Sequence, residues 1–103
     1  MRIDPHAYAE GFISEDEFQI RARARGVEVG AKDASTGVGS YLRALAHQLS
    51  AQSVVEVGTG SGVGSLWLLD GMITSGTLTS IDDETEHSRI ARIAMQDADI
   101  APS

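Results

Sequence analysis

The chain has no cysteine, which excludes a disulfide scaffold, a thiol nucleophile and a zinc–thiolate site. It has no apolar run approaching the ~20 residues that a membrane helix needs, so no membrane partner is expected. Its opening residues, Met1-Arg2-Ile3-Asp4-Pro5-His6, lack the apolar h-region of a signal peptide, and a cytoplasmic protein is the expectation. Cations are scarce: 8 Lys and Arg stand against 15 Asp and Glu, a net charge of −7. Phosphate backbones are neutralised by Lys and Arg, so nonspecific nucleic-acid binding is a poor fit and no nucleic-acid partner is expected. The scarcity is sharpest from Ala44 through Ser88, a stretch without a single Lys or Arg that holds Glu56, Asp70, Asp82, Asp83, Glu84 and Glu86. A ligand bound there meets backbone amides and carboxylates, with no cationic side chain from that stretch.

What is present is the material of one small globular domain: 103 residues, 42% hydrophobic and 22% charged. Residues 1–13, with Pro5 and Gly11, read as an irregular arm. Ser14-Glu15-Asp16-Glu17 has the capping-box pattern, a serine with glutamate three residues later. It predicts a helix from Glu15 to Arg25 that Gly26 stops. Acids at its start and Arg21, Arg23 and Arg25 near its end match the helix dipole, and this solvated reading outweighs an anion site. Asp33-Ala34-Ser35-Thr36 offers several N-caps for a second helix, whose Tyr41, Leu42, Leu45, Ala46 and Leu49 are spaced as one apolar face. His47 on that helix has no acidic or histidine neighbour at metal-ligand spacing and reads as a surface residue.

Ser53-Val54-Val55-Glu56-Val57 is a β-branched run of the kind buried in a parallel sheet. It enters Gly58-Thr59-Gly60-Ser61-Gly62-Val63-Gly64, and the apolar Ser65-Leu66-Trp67-Leu68-Leu69 follows as a helix ending near Gly71, with Trp67 a packing residue. Leu78-Thr79-Ser80-Ile81 is a second strand, and a further helix is expected from Glu84 to Asp97 with Ile90, Ile93 and Ala94 inward. Strand, glycine loop, helix and strand make one βαβ unit with parallel strands and a right-handed crossover.

Such a loop is a nucleotide-binding device: glycines let the chain turn sharply, and the helix N-terminus supplies unpaired N–H donors. An acid at the end of the next strand accepts hydrogen bonds from ribose hydroxyls. Asp82 has that place, 24 residues after Gly58 and 20 after Gly62. No lysine stands nearby for a phosphate-binding P-loop. The dinucleotide fingerprint G-x-G-x-x-G fails at Val63 when started from Gly58 and at Ser65 when started from Gly60. The pattern is G-x-G-x-G, with Glu56 two residues before it. A cation-poor loop flanked by a carboxylate suits S-adenosylmethionine, which has a sulfonium, an ammonium and no phosphate, better than a pyrophosphate. Each acid also has a structural role open to it: Glu56 can cap loop amides, and Asp82 can cap the helix expected from Glu84. Asp82-Asp83-Glu84 with Glu86 and His87 has the donor types for a hard cation, but helix starts favour acids anyway, and no metal site is assigned.

Val54 to Gly64 resembles motif I of the class I S-adenosylmethionine-dependent methyltransferases, more narrowly the catechol and caffeoyl-CoA type of small-molecule O-methyltransferase in its bacterial members. The likeness extends upstream to Ser35-Thr36-Gly37 with Tyr41-Leu42, and downstream through Trp67-Leu68-Leu69 to Asp82. It implies an α/β, Rossmann-like methyltransferase fold with a parallel sheet, present as its N-terminal part over residues 14–103. It implies that Glu56 contacts the methionine end of the cofactor, that Gly58, Thr59 and Gly60 contact it through the backbone, and that Asp82 binds the ribose. Relatives often place a serine where this chain has Gly64; here the serine is Ser65, and the contact to the methionine carboxylate falls to one of these two. The stretch around Ala34 becomes a lip over the cofactor. The family's divalent-metal carboxylates, general base and acceptor pocket belong to later segments, so no catalytic residue is assigned. Taken together, the expectation is the cofactor half of an enzyme that methylates a small hydroxylated acceptor, inactive alone and self-associating as a homodimer. The alternatives are a non-catalytic nucleotide-binding or interaction module and, third, an NAD-dependent oxidoreductase fragment.

Overall fold

The computed structural model describes residues 13–101, so nearly all of the expected arm lies outside the described residues. Four helices and two strands follow in the order α1 (Glu17–Glu28), α2 (Thr36–Gln48), β1 (Ser53–Val57), α3 (Val63–Gly71), β2 (Thr77–Ile81) and α4 (Thr85–Asp97). The strands pair in parallel, in register from Ser53↔Thr77 to Val57↔Ile81, with α3 as the crossover. This is the βαβ unit of the sequence, with both strand boundaries within one residue of expectation.

The first helix begins later and runs further than the sequence pattern implied. Its N-cap is Asp16, not Ser14: the Asp16 carboxylate accepts the Gln19 N–H at 2.8 Å while the Gln19 side chain accepts the Asp16 N–H at 2.9 Å. Two overlapping capping boxes exist in Ser14–Gln19, and the one further along sets the start. Gly26 does not stop the helix. It lies buried inside the last turn, because a Cβ there would collide with Asp33 and Ser61. The reciprocal cap makes Asp16→Ala the expected loss of about 1 kcal/mol of stability, readable as a lower midpoint in chemical denaturation.

The second helix starts at Ser35, whose hydroxyl accepts the Val38 N–H. Its inward face is narrower than the heptad-like spacing suggested. Gly39 and Ala46 are buried, while Tyr41 and Leu49 of the expected apolar face are 63% and 76% exposed. Small residues replace large ones here because α2 packs closely on α3: a Cβ on Gly39 would overlap the Trp67 indole, and one on Gly71 would overlap the Arg43 carbonyl. The core is Ala22, Val63, Leu66, Trp67 and Ala94, drawn from α1, α3 and α4, with Phe18 and Met95 packed on it. Arg21 fastens α1 to α4 through a two-pronged contact with Asp97, at 2.8 and 3.1 Å.

The sheet itself is half-covered on one face. Side chains alternate across a strand, so Val54, Glu56, Leu78 and Ser80 share one face and Val55, Val57, Thr79 and Ile81 the other. On the second face Val55, Val57 and Ile81 are 64%, 82% and 53% exposed. The strand that composition marked for burial on both sides is therefore bare on one side among the described residues. No helix of the described residues is long and apolar enough to cross a membrane.

Candidate functional site: the glycine loop and its three carboxylates

In open α/β sheets, ligands bind beyond the carboxyl ends of the parallel strands. Here that edge is formed by the loop leaving β1 at Gly58 and by Asp82 leaving β2. Gly58 has φ +86° and open space wherever a Cβ would stand, so the backbone itself forms the surface. Gly60 has φ +57°, and a Cβ there would come within 2.5 Å of the Asp33 carboxylate. Glycine is needed at the first position for conformation and at the second for conformation and space.

The loop's backbone donors are largely used within the protein. Gly58 N–H donates to the Ile81 carbonyl at 2.7 Å, Gly60 N–H to Asp82 at 2.9 Å, Ser61 N–H to Asp33 at 2.9 Å and Gly62 N–H to the Thr59 carbonyl at 3.2 Å. The expected cradle of unpaired amides is therefore absent over these four positions. What the loop presents instead is carboxylate and carbonyl oxygen, which matches a ligand rich in donors.

Asp82 is 7% exposed at its side chain and makes two backbone contacts, to Gly60 N–H and, through its other oxygen, to Glu84 N–H at 2.9 Å. His87 Nδ1 lies 3.3 Å away. The Glu84 and Gly60 amides, with a smaller contribution from His87, hold the Asp82 carboxyl below the usual carboxylate range. Asp82 does not cap α4 as such, since the N-cap is Glu84; it ties that turn to the loop. The sign of its pH dependence follows. A carboxyl whose acidity is raised by folding contributes stability above its unfolded pKa and loses it as pH falls through the folded one. Loop order is thus expected to be flat from neutral pH down to about pH 4 and to decay only below it, as read by amide shifts of Gly60 across a titration.

Glu56 sits beneath the loop. Its Oε1 accepts the hydroxyls of Ser65 and Ser80, the latter at 2.7 Å, and Ser80 in turn meets the Thr59 hydroxyl at 2.6 Å. The structural role weighed for Glu56 was the capping of loop amides; its partners are hydroxyls instead. Ser65 and Thr59 are buried, at 2% and 7% exposure, so their side chains brace Glu56 and Ser80 from inside. Gly64 comes against the same carboxylate, since a Cβ there would lie 2.9 Å from Glu56 Oε2. Ala34 is half-buried in the linker before α2, and its carbonyl accepts from the Arg23 guanidinium at 2.6 Å, while Arg23 forks onto Glu15.

Of the residues singled out in the sequence, Glu56, Thr59, Gly60, Gly64, Ser65 and Asp82 thus form one connected set with Gly58 at its rim, and Ala34 joins it through its neighbour Asp33. Asp33, Ser61 and Ser80 belong to the set and were not foreseen. The sequence marks Asp33 only as a possible helix cap, and the contacts of all three span 21 residues or more, beyond any local pattern. Among the described residues no group of three or more His, Cys, Asp and Glu is gathered as a metal site.

No family model matches the chain. Curated relatives do. The chain is 50% identical over 97 residues to a provisionally named O-methyltransferase of Mycobacteroides abscessus, covering 94% of this chain and 45% of that one. It is 52% identical over 97 residues to another from Mycobacterium sp. (strain JLS), covering 94% and 44%. The chain spans about 45% of the length of the curated relatives it matches. Among solved structures it superposes on the O-methyltransferase TomG from Streptomyces achromogenes, determined in complex with SAM, at TM-score 0.82 and 26% identity, over 93% of this chain and 44% of that one. The two-stranded parallel sheet with its helices is therefore part of the Rossmann-like methyltransferase fold. In sequence this chain is similar to proteins provisionally named O-methyltransferases, and in fold to an O-methyltransferase determined with SAM, in each case over a little under half of their length.

Proposed function

We propose that the chain captures S-adenosylmethionine at the Gly58–Gly60 loop, as the cofactor-binding part of an O-methyltransferase acting on a small hydroxylated acceptor. One observation carries this reading. At the carboxyl end of the parallel strands, the amides of Gly58, Gly60, Ser61 and Gly62 are spent on Asp33, Asp82 and backbone carbonyls, which leaves an acceptor-rich edge whose nearby Arg23 is engaged by Glu15 and the Ala34 carbonyl. A pyrophosphate needs free N–H groups or cations there and finds Asp33, Glu56 and Asp82 instead. A sulfonium, an ammonium and a ribose diol are all matched by oxygen acceptors. The residues fit the cofactor on that chemistry, and the open space above Gly58 gives it backbone to lie on.

The cofactor, when bound, supplies a methyl group activated on a positively charged sulfur. The chain's own residues bind and orient it. Asp82 takes the ribose hydroxyls. Gly58, Thr59 and Gly60 offer backbone, and Thr59 does so through its main chain because its hydroxyl faces Ser80. Glu56 is the nearby negative charge for the methionine end, with Ser65 and Gly64 fixing its orientation from behind. Ala34, held by Arg23, forms the lip. Acceptor binding and proton removal are assigned to no residue of this chain, and no methyl transfer is expected from these 103 residues alone.

Isothermal titration with S-adenosylhomocysteine, with NAD as control, tests the reading. Binding of the former and not the latter supports it. Binding of NAD alone points to a dinucleotide-dependent oxidoreductase fragment. Binding of neither by a demonstrably folded chain leaves a non-catalytic interaction module.

A further inference from the structure

We propose that Asp33 is a positioning residue for the cofactor loop, gripping its tip from the linker between α1 and α2; the proposal rests on the cofactor reading above. The grip is two-pronged. Asp33 Oδ1 accepts the Ser61 N–H at 2.9 Å, and Asp33 Oδ2 accepts the Ser61 hydroxyl at 2.5 Å. Ser61 is fully buried, so neither of its donors has water as a substitute partner. The carboxylate is also walled in. A Cβ on Gly60 would strike one of its oxygens and a Cβ on Gly26 the other, so two glycines from separate elements make its seat.

The consequence concerns the Gly60–Ser61 peptide. Asp33, from the linker before α2, accepts the N–H of this peptide, that of Ser61, and Asp82, at the end of β2, accepts the preceding N–H, that of Gly60. With both in place, two consecutive amides are turned inward and the loop's remaining edge is fixed outward beside Gly58. Without Asp33 the tip keeps Asp82 and the Gly62 N–H to Thr59 carbonyl bond of its own turn, and loses its hold on Ser61. The Asp33 side is itself anchored, because the Ala34 carbonyl is bound by Arg23 and Ser35 caps α2. Asp33 thus ties the lip and the loop together, so that ordering either one orders the other.

The test compares S-adenosylhomocysteine affinity in the parent chain and three variants, each checked for folding by near-ultraviolet circular dichroism. Asp33→Ala is expected to bind about tenfold more weakly or worse, since two buried donors lose a charged acceptor. Asp33→Asn keeps an acceptor for the Ser61 N–H and is expected to recover to within about threefold of the parent. Ser61→Ala keeps the N–H contact and loses the hydroxyl one, for an intermediate loss. It also serves as the second variant should Asp33→Ala fail to fold. A spectroscopic signature accompanies these: the Gly60 and Ser61 amide resonances are expected to shift in Asp33→Ala and to return towards parental positions on saturation with ligand. Parental affinity in folded Asp33→Ala or in Ser61→Ala overturns the proposal. So does an Asp33→Asn variant no better than Asp33→Ala, which would make charge rather than grip the cause. A parent chain that binds no S-adenosylhomocysteine overturns the cofactor reading and this proposal with it.

Discussion

Asp82→Ala is expected to weaken S-adenosylhomocysteine binding at least about a hundredfold, which in a calorimeter is the disappearance of the binding isotherm. The magnitude comes from what one carboxylate does in two directions. Toward the ligand it accepts from a ribose diol, and a hydrogen bond to an ionised acceptor is worth roughly tenfold or more in affinity. Toward the protein it holds the Gly60 and Glu84 amides, so its removal also frees the loop that the ligand lies on. Asp82→Asn separates the two roles. It retains one oxygen acceptor and loses the charge and half of the acceptor capacity, so it is expected to fall between parent and alanine. Parental affinity in Asp82→Ala would mean that the acid only ties the loop to the turn before α4, with no part in binding. In the parent chain, binding is expected to hold down to about pH 4, because the backbone amides keep Asp82 ionised below the usual carboxylate range.

Asp82 was also among the most legible residues in the sequence, and the reasons differ from those that hid Asp33. The βαβ unit announces itself locally. A β-branched run, a loop with glycines at 58, 60, 62 and 64, an apolar helix and a second short strand follow one another within 30 residues. Each step is read from neighbours in the chain, and the acid after the second strand is placed by counting. Asp33 stands 28 residues from its partner Ser61, in a linker with no periodicity. Its carboxylate is bracketed by Gly26 and Gly60, which are meaningful only once three segments have come together. Gly26 illustrates the same limit from the other side. A glycine after a basic helix end is ordinarily a stop, yet here it continues the helix because the space it leaves is filled by Asp33 and Ser61. The apolar face of α2 was overdrawn for a related reason: spacing identifies which side chains align, but the close approach of α2 and α3 selects Gly39 and Ala46 for the contact and leaves Tyr41 outside. Composition marks β1 as a strand suited to two covered faces, while only the Val54–Glu56 face is half-covered among the described residues.

The largest stability effect is expected at Trp67. Its side chain is fully buried, it lies among Val63, Leu66, Ala22 and Ala94, and Gly39 and the Arg43 guanidinium close over it, the latter 5.0 Å from the ring. Truncating a buried tryptophan to alanine costs about 3–5 kcal/mol, from lost transfer energy and the cavity left behind. A small domain holds only about 5–15 kcal/mol in total, and one with a bare sheet face has less apolar burial to draw on. Trp67→Ala is therefore expected to leave a chain without a cooperative denaturation transition, followed by far-ultraviolet circular dichroism. Trp67→Phe should behave quite differently. Among the described residues the buried indole Nε1 has no hydrogen-bond partner, and an unsatisfied buried donor costs about 1–3 kcal/mol. Phenylalanine removes that donor while keeping most of the ring, so the lost packing and the relieved polar atom oppose one another. Its denaturation midpoint is expected close to the parent's. A midpoint as low as that of Trp67→Ala would show instead that the full indole volume against Gly39, rather than an aromatic ring as such, is what joins α2 to α3.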